Sequence, residues 1–93
     1  MNTQRRKTID KIIESINTQK DVLRDLHSQL ESVQEQEQES FDNMPDGLQS
    51  SDRGQLTGEL ADKLSDVATD LESAIESLDS ITDTLTEVSE ARS

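Results

Sequence analysis

The chain has no cysteine, tryptophan or tyrosine, and only one phenylalanine, one proline and three glycines among 93 residues. Without cysteine there is no disulfide, no thiolate metal site and no thiol nucleophile, which fits a reducing compartment. Apolar residues make up 29% of the chain, against roughly 45–50% in an average globular domain, so a thick core is excluded. Leu, Ile, Val and Phe number 21 of 93, just above the roughly 20% level below which highly charged chains stay disordered. Such a sequence folds only if its apolar residues line up in a narrow seam. No apolar run of about 18 residues exists, so no membrane span is expected. Arg5, Arg6 and Lys7 are followed by no apolar leader core, and a cytoplasmic location is expected.

Positive charge is also scarce. The formal net charge is −12, which argues against direct contact with nucleic acid or an anionic membrane and favours basic protein surfaces. The imbalance is uneven: residues 1–30 hold six Lys/Arg and four Asp/Glu, whereas residues 31–93 hold three and seventeen.

Catalytic constellations are missing. His27 is the only histidine, on a position flanking the seam, where a partly exposed side chain is expected rather than a base or ligand. Nothing marks a nucleophile–base pair among the Ser and Thr residues. Asp42, Asp46 and Gly47 fall at the first, fifth and sixth places of a calcium loop. Met44 and Arg53 occupy its third and twelfth, where oxygen ligands are required. No phosphate-cradling glycine pattern occurs. The chain is expected to be no enzyme and to hold no cofactor or metal.

What is present is a seven-residue repeat. Starting at Ile9, positions a and d read Ile9, Ile12, Ile16, Gln19, Leu23, Leu26, Leu30 and Val33, a coiled-coil seam with one polar defect. A second run from Leu60 reads Leu64, Val67, Leu71, Ala74, Leu78, Ile81, Leu85 and Val88. Ala61, Ala68 and Ile75 add a third column beside it. The pattern predicts one all-α domain over residues 1–93: helix 1 at about 4–39, a loop at about 40–51, and helix 2 at about 52–90. Arg5, Arg6 and Lys7 at a helix start, and Glu35, Glu37 and Glu39 near a helix end, have the wrong sign for the helix dipole. An antiparallel hairpin relieves this by placing the basic start beside Glu87 and Glu90. A lone hairpin buries little. The third column, with Ile13 and Val22, therefore points to a homodimer pairing as a four-helix bundle.

In the loop, Pro45, Asp46 and Gly47 suit a β-turn with Gly47 left-handed, and Ser50, Ser51 or Asp52 supplies the next N-cap. Gly54 and Gly58 weaken the first turns of helix 2 unless packed. Phe41, Met44 and Leu48 either fold onto Val33, Leu56 or Leu60 or form an exposed knob. The candidate loop contacts are Phe41, Asp42, Asn43, Met44, Leu48 and Arg53.

Helix 2 also carries an outward row of acids, from which Asp62, Asp66, Asp70, Glu76, Asp79, Asp83 and Glu87 are the candidate partner-binding face. Like-charge pairs four apart, such as Asp62–Asp66 and Asp79–Asp83, cost a few tenths of a kcal/mol each. Mixed signs would serve solubility better. Carboxylates repeating every turn can imitate phosphates, so the row is either a mimic aimed at a basic nucleic-acid groove or an ordinary solvated face.

The segments Glu35-Gln36-Glu37-Gln38-Glu39, Phe41-Asp42-Asn43-Met44-Pro45-Asp46-Gly47-Leu48-Gln49 and Ser51-Asp52-Arg53-Gly54 resemble the central motif of small acidic helical proteins from phages and bacterial genomes. Leu71-Glu72-Ser73-Ala74-Ile75-Glu76-Ser77-Leu78 is similar to their second helix. Gly47 departs from the bulkier residue usual there. The resemblance implies a phage or mobile-element setting and no reaction. By analogy with small acidic phage proteins that inhibit host enzymes, it implies a non-catalytic protein that binds and modulates a host protein, such as one of the nucleic-acid or defence machinery. The contrasting expectation is a structural coiled-coil scaffold module.

Overall fold

Asn2 opens the first helix. Its Oδ1 accepts the Arg5 backbone N–H at 2.8 Å and its carbonyl accepts the Arg6 N–H at 3.2 Å, satisfying donors that a helix start leaves free. The computed structural model describes residues 1–91 and contains three helices: α1 (Thr3–Asp42), α2 (Asp46–Gln49) and α3 (Asp52–Glu90). No strand occurs among the described residues. The all-α architecture with two long helices is as the sequence predicts.

Their connection differs from expectation in two respects. Helix α1 runs on to Asp42, so Phe41 and Asp42 are helical rather than part of a loop. Pro45, at φ −59° and ψ 150°, stops the helix and starts another turn. The N–H groups of Leu48 and Gln49 donate to the Pro45 carbonyl at 2.8 and 3.0 Å. This makes the short helix α2 instead of a β-turn. No described residue has a left-handed φ, so Gly47 is not the left-handed pivot expected of it. Ser51 is the N-cap of α3: its Oγ accepts the Gly54 N–H at 3.2 Å, and its carbonyl accepts the Gln55 N–H at 2.9 Å.

Packing divides the chain into a terminal unit, Met1–Asp25 with Glu72–Ser93, and a loop unit, Leu26–Leu71. In the terminal unit the helices run antiparallel. The Arg6 guanidinium donates to the Ala91 carbonyl, and Lys20 Nζ lies 2.7 Å from Asp79 Oδ1. A cation thus meets the end of α3, as the dipole favours. Arg6 reaches the backbone carbonyl of Ala91, next to Glu90, rather than a carboxylate. The residues of α1 turned inward are Arg6, Ile9, Ile13, Ile16, Lys20 and Leu23. Those of α3 are Ile75, Leu78, Thr82, Leu85 and Ser89.

In the loop unit the inward residues of α1 include His27, Leu30, Gln34 and Phe41, and those of α3 include Gly54, Ala61, Leu64, Ala68 and Leu71. The Phe41 ring lies over Gly58, where an added Cβ would sit 3.4 Å from its Cε2. Gly54 is buried against the Leu48 and Gln49 carbonyls of α2. The Gln49 side chain donates to the Phe41 carbonyl at 2.9 Å. Both glycines are therefore packed, which answers the fraying expected at this end.

Each unit keeps one expected seam column on each helix and exchanges the other. The columns of Ile9 and Leu64 face inward. The columns of Ile12 and Leu60 face out, so Gln19 is no seam defect, and Ile12, Leu26, Val33, Val67 and Ile81 are exposed. Their places are taken by the Ile13 and Ala61 columns, which the apolar pattern alone puts at the flank of the seam. The cause is size. Gly54, Ala61 and Ala68 in the loop unit, and Thr82 and Ser89 in the terminal unit, let a helix axis approach more closely than a Leu/Val column does. The opposing column of α1 supplies long side chains, Arg6, Lys20, His27, Gln34 and Phe41, to lie over small ones. The core is correspondingly thin: its buried apolar residues are Ala61 at 0%, Ala68 at 7% and Ile75 at 8% exposure.

Candidate functional site

On α3, positions 59, 62, 66, 76, 83, 87 and 90 lie on the columns farthest from the inward one, and each is acidic and exposed. Asp70 is exposed too, on a column nearer the Leu60 edge. Within the loop unit Asp62, Asp66 and Asp70 follow one another at four residues, which a helix spaces by about 6 Å. Within the terminal unit Glu76, Asp83 and Glu87 form a second stretch of this acidic spine. None of these six makes an ion pair among the described residues.

Asp79 is different. It was expected on the outward face, but it is half-exposed and held by α1: its Oδ1 accepts from Lys20 Nζ at 2.7 Å and from Arg24 Nη2 at 3.3 Å. The Lys20 hydrogen bond, with the charges of Lys20 and Arg24, holds the Asp79 carboxyl below its ordinary value against the opposing effect of desolvation. Lys20 is itself buried and also donates to Thr82 Oγ1 at 3.3 Å. Asp79 is therefore a structural residue, and the spine is interrupted at that point.

The proposed loop contacts do not act as one group. Phe41 and Met44 are half-buried, and the Phe41 ring is occupied by Gly58. Asp42 is exposed and accepts from Gln38 Nε2 at 3.0 Å. Asn43 and Arg53 are exposed, and Leu48 is an exposed apolar residue on α2. Leu48 does not seal the tip, and neither Val33, Leu56 nor Leu60 is buried beneath it.

His27 sits half-buried in the inward column with Nδ1 2.8 Å from Glu31 Oε1, a local pair one turn apart. No group of three or more metal-ligating side chains occurs among the described residues. The concavities are open grooves along the helices. One in the terminal unit is lined by Lys11, Glu14, Ser15, Thr18 and Gln19, and another by Ser80, Ile81, Thr84 and Leu85. No described helix is long and apolar enough to cross a membrane.

The structural residues that sequence reading missed are Lys20, Asn2 and Ser51's partners. Only Lys20 left a signal, since it falls seven residues from Ile13 and from His27. No family model matches the chain, and neither a curated protein nor a solved structure does.

Proposed function

We propose that this chain is a non-catalytic interaction protein that acts as a pair of copies and docks the acidic spine of α3 on a basic protein surface, modulating that partner. One observation carries the reading. Asp62, Asp66, Asp70, Glu76, Asp83 and Glu87 are exposed and make no ion pair among the described residues, although α1 carries six Lys and Arg residues and the fold spends two of them on Asp79 alone. Like-charge neighbours one turn apart cost helix stability, and a solvated surface needs no such row. The sequence resemblance adds a phage setting, in which the partner is a host protein.

The partner's chemistry follows from the spacing. Asp62, Asp66 and Asp70 in the loop unit, and Asp83 and Glu87 in the terminal unit, follow at four residues, about 6 Å along the helix, and each such line of negative charge suits a basic groove built for a phosphate backbone. A nucleic-acid-handling or defence protein has such a groove. The competing reading, a structural assembly module, is favoured by the exposed apolar columns, and one experiment separates the two. Asp66, Asp70 and Asp83 are changed to Asn and Glu76 to Gln, leaving Asp79 in place, and tagged protein is used to capture partners from host lysate at low and high salt. The reading predicts a nucleic-acid-handling protein retained at low salt, released at high salt, and lost with the neutral variant. Capture that survives both salt and neutralisation contradicts it.

A further inference from the structure

In the terminal unit, the columns of α1 that begin at Thr8, Ile9 and Ile12 and recur every seven residues through Leu23 contain no charged residue. The matching columns of α3 from Ala74 through Val88 contain none either. Of these fifteen positions Ile9, Ile16, Leu23, Leu78 and Leu85 face inward, and the other ten are exposed without a charge in a chain of which 32% is charged, where about three of ten would be expected at random. The two sets share one side. With the helices antiparallel, the Ile12 column lies to the same side of the inward column on α1 as the Ile81 column does on α3. The opposite edge carries the polar links Arg24–Asp79 and Ser89–Asp10. The loop unit repeats the pattern with Leu26, Val33, Leu60 and Val67, but its matching columns hold four charges, Glu37, Arg53, Lys63 and Asp70, two of each sign.

We infer that this uncharged strip is the surface on which a second copy of the chain docks. The inference deepens the pairing proposed above by assigning its surface. The sequence pattern points to pairing through the Ala61 column with Ile13 and Val22; of these only Val22 lies on the strip, since the fold uses the Ala61 and Ile13 columns internally. Three observations select a second copy. First, the rim of the strip in the terminal unit is neutral, with Thr8, Ser15 and Val22 on one side and Ser77 and Thr84 on the other, all exposed. A basic partner gains nothing there, whereas two chains of charge −12 can approach only where charge is absent. Second, Asp62, Asp66, Glu76, Asp83 and Glu87 of the acidic spine lie on α3 columns turned away from the strip, Asp70 being its one member on a strip column, so the docked pair keeps those five acids off the contact. Third, Ile12, Val22, Ile81 and Val88 in the terminal unit, and Leu26, Val33, Leu60 and Val67 in the loop unit, are 38–49% exposed, so each unit leaves large apolar side chains open that a second copy would cover. The thin core of each unit gives that burial its driving force.

The test is mass by sedimentation equilibrium, with helicity followed by circular dichroism. Unmodified protein should sediment at twice its 10.4 kDa. Ile12→Glu with Ile81→Glu should weaken association at least a hundredfold. Thr18→Glu with Thr69→Glu adds the same charge off the strip and should leave most of the pair intact. If the Glu pair on the strip loses helicity, Ile12→Gln with Ile81→Gln should still weaken association at least tenfold. A monomeric unmodified chain overturns the pairing itself. A dimer that resists both strip variants, or dissociates equally with the off-strip pair, overturns only the assigned surface. Neither result touches the salt-dependent capture through the acidic spine, which is measured separately.

Discussion

Replacing Gly54 by alanine sets helix propensity against close packing, and the structure decides which wins. Alanine is favoured over glycine within a helix by about 0.8–1.0 kcal/mol. At Gly54, however, the new Cβ would sit against the Leu48 carbonyl and 2.5 Å from the Gln49 carbonyl, closer than folded proteins tolerate. Both are backbone atoms of α2, and Leu48 also accepts the Ser51 hydroxyl, so moving them disturbs the cap of α3. Overpacking of this kind costs about 1–3 kcal/mol, leaving Gly54→Ala destabilised by up to about 2 kcal/mol. Gly58→Ala is the matched control in the same helix. Its Cβ would lie 3.4 Å from the Phe41 ring edge, an ordinary contact, so the propensity gain of about 0.5–1 kcal/mol survives. Gly47→Ala meets nothing within 4 Å and should be neutral or slightly stabilising. Thermal unfolding followed by circular dichroism at one fixed protein concentration should then separate Gly54→Ala from Gly58→Ala by several degrees, since about 1 kcal/mol moves a domain of this size by about 4–8 °C. Equal stabilisation by the two variants would refute the close approach of α2 to α3.

Other outcomes follow from the polar contacts. Asp79 has a folded pKa below its unfolded value of about 3.9. Its contribution to stability is therefore present above that value and is lost as pH falls through the folded pKa. Asp79→Asn should flatten that part of the acid unfolding curve, which urea titrations between pH 2 and 6 would reveal. Lys20→Met should change stability by no more than about 1 kcal/mol, because Asp79 keeps Arg24 and water at 44% side-chain exposure while the methionine stem fills the same space; chemical denaturation measures it. Ser51→Ala should cost about 1 kcal/mol through loss of the cap, whereas Ser50→Ala should cost little, a contrast readable by the same assay.

The helices were legible in the sequence because a seven-residue apolar repeat broken by Pro45 admits few other structures. Which two columns of the repeat face inward was not. A rule that ranks columns by hydrophobicity chooses Ile12 with Ile9, and Leu60 with Leu64. The fold instead ranks them by how closely the backbones can approach, which favours Gly54, Ala61 and Ala68. Lys20, His27 and Gln34 in the opposing column look like solvent positions, yet Lys20 is buried and donates to Thr82, and His27 and Gln34 are half-buried, as long stems on an inward column allow. The acidic row was legible as a row, but Asp79 could be separated from Asp83 only by seeing Lys20 and Arg24 beside it. The stretch around Pro45 reads as a turn from composition. That it forms another helical turn depends on the Pro45 carbonyl receiving two N–H groups, a detail that residue type does not encode.

Adjacent single cysteines at Val67 and Ala68 test the inward assignment most directly, because the chain contains no other thiol and local sequence is held nearly constant. Val67 is 49% exposed and Ala68 7%, and labelling rates follow thiol access. At high dilution, Val67→Cys should react with a maleimide much faster than Ala68→Cys. Raising the protein concentration should slow labelling at 67 alone, as a second copy covers the strip. Faster labelling at 68 than at 67, or rates at 67 that ignore concentration, would contradict the account.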